Sequence, residues 1–249
     1  TPDSRIKSSE TGTRHKAAER TAKQAETLVI AISERKNEIN VFYKKIKYPV
    51  ISTDDLLRKT NEHIQILEKQ RESFDSFVNN LNRLELRNQQ SLSQAINAIQ
   101  KGAIIQKVYS DMQKNIIELG KEGAILKTRL KEITHDVENE TDLILKDYAN
   151  IPVKKVKAVL EELSYEEILN KESILSALAY ESHQKISQLQ GWRLLSKTSL
   201  SEMEIAALIK ELGSLGAAIH SNISMYTHVL GHEKAQVFKE EIIKIKADL

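Results

Sequence analysis

Gly12-Thr13-Arg14-His15-Lys16 places a glycine, a hydroxyl and three nitrogen-bearing side chains on five consecutive positions, and the alanine-rich run Ala17–Gln24 follows at once. The chemistry such a stretch suits is anion binding. A helix N-terminus carries unpaired backbone N–H groups and the positive end of a dipole, and Gly12 lets backbone and ligand approach closely. Arg14 can fork onto two phosphate oxygens, while Lys16 acts as a point charge. The same spacing is also met by a basic, solvent-exposed first turn capped by Thr13. Ser33-Glu34, at the end of an apolar run, forms a second candidate. A carboxylate leaving the C-terminal end of a buried strand can hold Mg²⁺ or Mn²⁺ near phosphate, or simply open a polar turn.

Other constellations carry less. His228 and His232 stand four apart, but Gly231 lies between them and no third ligand is evident, so no zinc site is expected. The phosphate-loop pattern GxxxxGK[ST], GxGxxG and GxSxG are all missing from the sequence. Lys154, Lys155 and Lys157 face Glu161 and Glu162 nearby and read as a solvated surface. The stretch Thr227–Ala235 is a turn between two helices, whose Gly231, His232 and Lys234 are placed to meet a nucleic-acid backbone. Hairpins of that kind usually carry two glycines, and Val229 stands where the earlier one is expected.

The elements that must position these residues change along the chain. After the alanine-rich helix, Thr27–Ile32 reads as a buried strand and Arg35-Lys36-Asn37 as a turn. Ile39, Val41 and Tyr43 alternate with Asn40 and Phe42 as a second strand. A helix and two strands are marginal alone, so a partner chain or a further segment must complete the sheet. Pro49 is expected to end this unit. Ser52 or Thr53 caps a new helix with Asp54 and Asp55 in its first turn. Apolar stripes at helical spacing come next, through Ile64, Leu67, Phe74, Val78 and Leu81, then Ile96 to Leu119, then Ile125 to Leu145, and they predict a bundle or long hairpin. Asn150-Ile151-Pro152 marks a linker, beyond which helices are short. Among them, Ser201 with Glu204 forms a capping box and Gly213 a stop. The fold class expected is mainly α: a remnant α/β domain over residues 1–50, a helical spine over 51–150 and a helix-hairpin-helix domain over 151–249.

Composition agrees with this reading. Three prolines and 8 glycines in 249 residues, with 29% charged side chains, favour long helices and argue against a sheet-rich fold. The absence of cysteine excludes disulfides and thiolate metal sites and fits a reducing compartment. No apolar run spans a membrane and no signal-peptide pattern opens the sequence, so a cytoplasmic protein without a membrane partner is expected. A formal net charge of +2 is too small to predict a nucleic-acid partner without a local basic patch. Thr1 is not an initiator, and the sequence reads like the tail of a domain whose earlier part lies elsewhere.

Ser9-Glu10-Thr11-Gly12-Thr13-Arg14-His15-Lys16-Ala17-Ala18-Glu19-Arg20 resembles the second signature of the diadenylate cyclase family, usually written with Arg-His-Arg at its centre. The order of the elements beyond it is similar to the DNA-integrity-scanning branch of that family. The matching parts are the strand pair ending in Tyr43, Glu118–Gly123 within the spine, Asp147-Tyr148, and Gly191–Ser196 before the terminal helices. The resemblance implies condensation of two ATP into cyclic di-AMP with Mg²⁺ or Mn²⁺, between cyclase domains facing each other in an octamer, and branched DNA as partner of the terminal domain. Carried over, Gly12, Thr13, Arg14, His15 and Lys16 would bind ATP, with Arg14, His15 and Lys16 supplying catalytic charge. Ser33 would lie by the nucleotide, Glu34 by the metal, and Gly231, His232 and Lys234 by DNA. Three departures stand out: the family's Asp-Gly-Ala segment does not occur in these residues, Lys16 replaces an arginine, and Val229 replaces a glycine. The 249 residues alone are therefore expected to be inactive. The alternative is a non-catalytic helical scaffold or DNA-interaction module carrying a cyclase remnant.

Overall fold

The computed structural model describes residues 2–34, 38–181 and 188–247. It divides into two compact units, residues 1–61 and 62–249.

In the first unit, helix α1 (Thr13–Ala25) leads through Glu26, which adopts a left-handed conformation, into strand β1 (Leu28–Ser33). Strands β2 (Glu38–Tyr43) and β3 (Ile46–Val50) complete an antiparallel sheet in the order β1-β2-β3. The sheet thus has a third strand where the sequence suggested two. Pro49 does not end the unit but sits inside β3, opposite Asn40. An edge strand tolerates proline because one row of its backbone groups needs no ladder partner.

Register separates the two faces. Leu28, Ile30 and Ile32 oppose Tyr43, Val41 and Ile39, which in turn oppose Ile46, Tyr48 and Val50. These nine apolar side chains share one face, and Ile32 and Ile46 there are 65% and 66% exposed. On the opposite face Phe42 and Asn40 are buried, and α1 packs against β1 and β2. Sheet alternation and helix phase agree here, because His15, Glu19 and Ala22, the inward side of α1, are its buried residues.

Helix α2 (Thr53–Leu86) runs from the first unit into the second. Ser52 caps it, accepting the Asp55 N–H at 3.2 Å, with Asp54 and Asp55 favouring the positive end of the dipole. In the second unit, α3 (Leu92–Leu119) is the hub, packing on α4 (Ala124–Thr134), α5 (Val137–Tyr148), α6 (Val153–Glu162), α7 (Tyr165–Leu169) and α8 (Lys171–Ala177). The expected stretch through Leu145 is broken at His135-Asp136, where Asp136 takes a φ of +60°. Aspartate reaches that region more readily than most residues.

Four-residue α9 (Trp192–Leu195) packs on α5, and α10 (Glu202–Leu212), α11 (Leu215–His220), α12 (Ile223–Leu230) and α13 (His232–Ala247) form a terminal group. The Ser201–Glu204 capping box and the Gly213 stop occur as expected. Residues 181–191, polar and loop-like in sequence, fall largely outside those described. Among the described residues, no helix is long and apolar enough to cross a membrane.

Candidate nucleotide site

The start of α1 is uncapped. Gly12, not Thr13, occupies the N-cap with φ −87° and ψ 142°, and no side chain bonds the first turn. The Lys16 N–H donates to the Gly12 carbonyl at 2.8 Å, so Thr13, Arg14 and His15 present the amides that precede the first intrahelical bond. No acidic residue lies in that turn. A Cβ on Gly12 would meet nothing within 4 Å, and its φ is open to any residue. The protein's own packing therefore does not require glycine there, whereas a ligand lying against the backbone would.

The side chains diverge. Thr13 and Arg14 are exposed and Lys16 is half-buried, but His15 is only 9% exposed, and its Nε2 has no hydrogen-bond partner. Arg14 and Lys16 thus stand at the open end of the helix while His15 faces inward with Glu19.

Ser33 ends the strand on which α1 packs, and Glu34 follows it. A 13-residue helix rises about 20 Å and a six-residue strand extends about 20 Å. Were β1 to run straight back along α1, against which it packs, its last residue would return to about the level of Gly12. Ser33 is half-buried and Glu34 exposed.

Five residues not singled out as candidates by their sequence, Glu10, Glu19, Arg20, Lys23 and Lys47, hold the approach to this helix start. Buried Glu19 accepts from the Ser8 hydroxyl at 2.5 Å and the Ser9 N–H at 3.0 Å, and pairs with Lys23 at 2.7 Å. Lys23 also donates to the Lys7 carbonyl at 2.9 Å, and Arg20 Nε to the Ile6 carbonyl at 2.9 Å. The segment before Gly12 is thereby strapped along α1. Glu10 pairs with Lys47 of β3 and ties the same segment to the sheet. Burial alone would raise the Glu19 carboxyl, but Lys23, Ser8 and Ser9 outweigh it and hold it down at about 2. The helical phase of His15, Glu19 and Ala22 was the available signal for Glu19.

A metal fits these residues poorly. Among those described, no group of three or more His, Asp or Glu side chains converges, so Glu34 provides one oxygen ligand where Mg²⁺ takes six.

At the far end of the chain, Gly231 joins α12 to α13 with φ +81°, and His232 opens α13. Lys234 does not project freely; its ammonium pairs with Glu204, which together with Ser201 holds that carboxyl at about 2.

Residues 1–46 match the family described as DisA bacterial checkpoint controller nucleotide-binding, and residues 51–187 match the DisA bacterial checkpoint controller linker region. The DNA integrity scanning protein DisA of Clostridium acetobutylicum is 34% identical over 254 residues, covering 98% of this chain and 71% of that protein. The protein of the same name from Thermotoga neapolitana is 32% identical over 258 residues, covering 98% and 73%. That of Clostridium botulinum (strain Loch Maree / Type A3) is 30% identical over 256 residues, covering 100% and 72%. With its nucleotide-binding and linker segments in the family's order and both chemically explicable in its structure, the chain belongs to the DisA family.

Proposed function

We propose that this protein is a diadenylate cyclase of the DisA type, and that the start of α1 binds the triphosphate of ATP. The observation that carries the reading is the uncapped, acid-free first turn, with Arg14 and Lys16 at its mouth. In the reaction each 3′-hydroxyl attacks the α-phosphorus of the other ATP and expels pyrophosphate, giving cyclic di-AMP. Charge on the equatorial and leaving oxygens grows as that happens, and fixed donors aimed there lower the barrier. The Thr13–His15 amides and the Arg14 fork supply such donors, Lys16 a mobile charge, and Glu19 the fixed strap that positions them. His15 faces inward, and its Nε2 has no hydrogen-bond partner. Mg²⁺ or Mn²⁺ would supply further charge neutralisation at phosphate, with Glu34 as one ligand; the roles given to this chain's residues stand without it.

The nine-residue apolar sheet face supports a second layer in the working protein, in line with the two-facing-domain chemistry the family implies. We further propose that α12, Gly231 and α13 contact the DNA backbone, weakly, since Lys234 is already paired.

Titration of the 249-residue chain with ATP tests the central claim. The amides of Thr13 to Lys16 should shift in the ¹H–¹⁵N spectrum, and Arg14→Ala should weaken binding by about tenfold, the worth of a charge-assisted hydrogen bond. Gly12→Ala should weaken it while leaving helix content unchanged. Shifts confined to other residues would sink the reading. The chain by itself, having no Asp-Gly-Ala segment, is expected to make no cyclic di-AMP; steady production would refute that part alone.

A further inference from the structure

The terminal helices are joined to the helical body through a fully buried arginine. Arg193 of α9 is 0% exposed, and its guanidinium reaches Glu85 at 2.5 Å, Glu140 at 3.1 Å and Asn82. Asn82 and Glu85 lie near the end of α2 and Glu140 on α5, so one side chain spans three elements more than fifty residues apart in sequence. Asp147 of α5 holds the backbone as well, accepting N–H groups from Gly191 at 2.8 Å, Trp192 at 2.8 Å and Arg193 at 3.0 Å. Tyr148 donates its hydroxyl to the second oxygen of Glu85 at 2.9 Å. Around the rim, Lys197 donates to Asn82 at 3.1 Å, and Lys146 lies 4.8 Å over the Trp192 ring while pairing with Glu202 at 2.5 Å.

Gly191 is the folding point. Its φ is +95°, and a Cβ there would stand 2.6 Å from Leu215 Cδ1 and 2.8 Å from Leu215 Cβ. The backbone thus passes directly between Asp147 of the body and Leu215 of the terminal group.

We propose that Asp147, Glu85 and Arg193 form a latch that fixes the attitude of the terminal helices on the body and opens without unfolding either part. The physical reason lies in what release costs. Opening returns two carboxylates and a guanidinium to water, which offsets much of the lost Coulomb attraction. The apolar cores on either side stay closed, because α10 packs on α11 and α12, and α12 on α13, while α3 holds the body. Leu194 and Leu195 are also buried and set the closed position, but the polar groups choose its register. The terminal group then has two attitudes, and any ligand that grips it in the open one shifts the balance towards release. This holds whether or not α1 binds nucleotide.

Native-state hydrogen exchange of the 249-residue chain tests the latch. Amides of Gly191 to Leu195 should exchange together, at least a hundredfold faster than the slowest amides of α3, through an opening that leaves α3 protected. Exchange of both sets through one common opening would overturn the proposal without any variant. As the chain holds no cysteine, spin labels at Ile125→Cys and Met203→Cys, both on exposed positions, report the distance between body and terminal group. Arg193→Met and the milder Asp147→Asn should each broaden a narrow distance distribution while α3 protection is kept. A distribution that stays narrow in both, or loss of α3 protection in step with the broadening, would show Arg193 to be a core residue and no latch.

Discussion

Replacing Glu19 by glutamine tests whether the first unit pre-forms the anion site proposed at the start of α1. The carboxylate straps Ser8 and Ser9 beside α1 and pairs with Lys23. Its ordinary value of 4.5 falls to about 2. That gap corresponds to a preference for the charged form of about 3 kcal/mol, at roughly 1.4 kcal/mol for each tenfold change. Glutamine keeps one acceptor for Ser9 but loses the ion pair, so the expected cost is about 2 kcal/mol, or roughly a 30-fold rise in exchange of α1 amides. The sign with pH comes from a folded value below the unfolded one. Glu19 stabilises the unit fully above about pH 5, and the contribution fades as pH falls towards 2. Carboxyl ¹³C titration of the wild type, and α1 exchange between pH 6 and 3 in both proteins, measure it. The variant should lose the acid dependence and bind triphosphate more weakly, because residues 8–11 no longer lead the chain into Gly12 at a fixed angle. If Glu19 titrates near 4.5, or if wild type and variant protect α1 equally, the strap is not what orders this helix start.

Gly191→Ala should cost about 3 kcal/mol or more, read as a lower urea midpoint, since it adds both a strained positive φ and a clash with Leu215. Branched DNA should bind the full chain with a shallow salt slope, and Glu204→Gln, which frees Lys234, should steepen it by about one unit of log K per log salt; an unchanged slope would remove Lys234 from the contact.

What the sequence disclosed was whatever leaves a periodic or local mark. The Ser52 cap, the Ser201–Glu204 box and the Gly213 stop each satisfy orphan backbone groups with neighbours in sequence, and each occurs where the residues place it. β3 was hidden for two local reasons. Pro49 argues against a strand unless that strand is known to be an edge, and the turn at Lys44-Lys45 lacks the glycine or asparagine that announces a hairpin, although Lys44 adopts φ +53°. The break at His135-Asp136 and the insertion of Arg193 left no such mark. Arg193 is buried because Asn82 and Glu85, on the phase of Val78 and Leu81 in α2, meet it from more than a hundred residues away. Only the third dimension places a charge opposite its partner. The candidate site divides in the same way: Gly12 to Lys16 was visible as a cluster, whereas Glu10, Glu19 and Lys47, which hold its approach, became visible through contacts.

The two faces of the small sheet impose opposite demands. One face is closed by α1, whose uncapped first turn carries Arg14 and Lys16. The other carries Leu28, Ile30, Ile32, Ile39, Val41, Tyr43, Ile46, Tyr48 and Val50, an apolar surface too continuous to stand in water without cost. Burying it returns about 25 cal/mol for each Å² removed from water, so a layer set against it is strongly favoured whatever its chemistry. The apolar face and the face that α1 covers are thus opposite sides of one sheet, so a layer on the first adds to the stability of the unit without displacing the helix that carries Arg14 and Lys16.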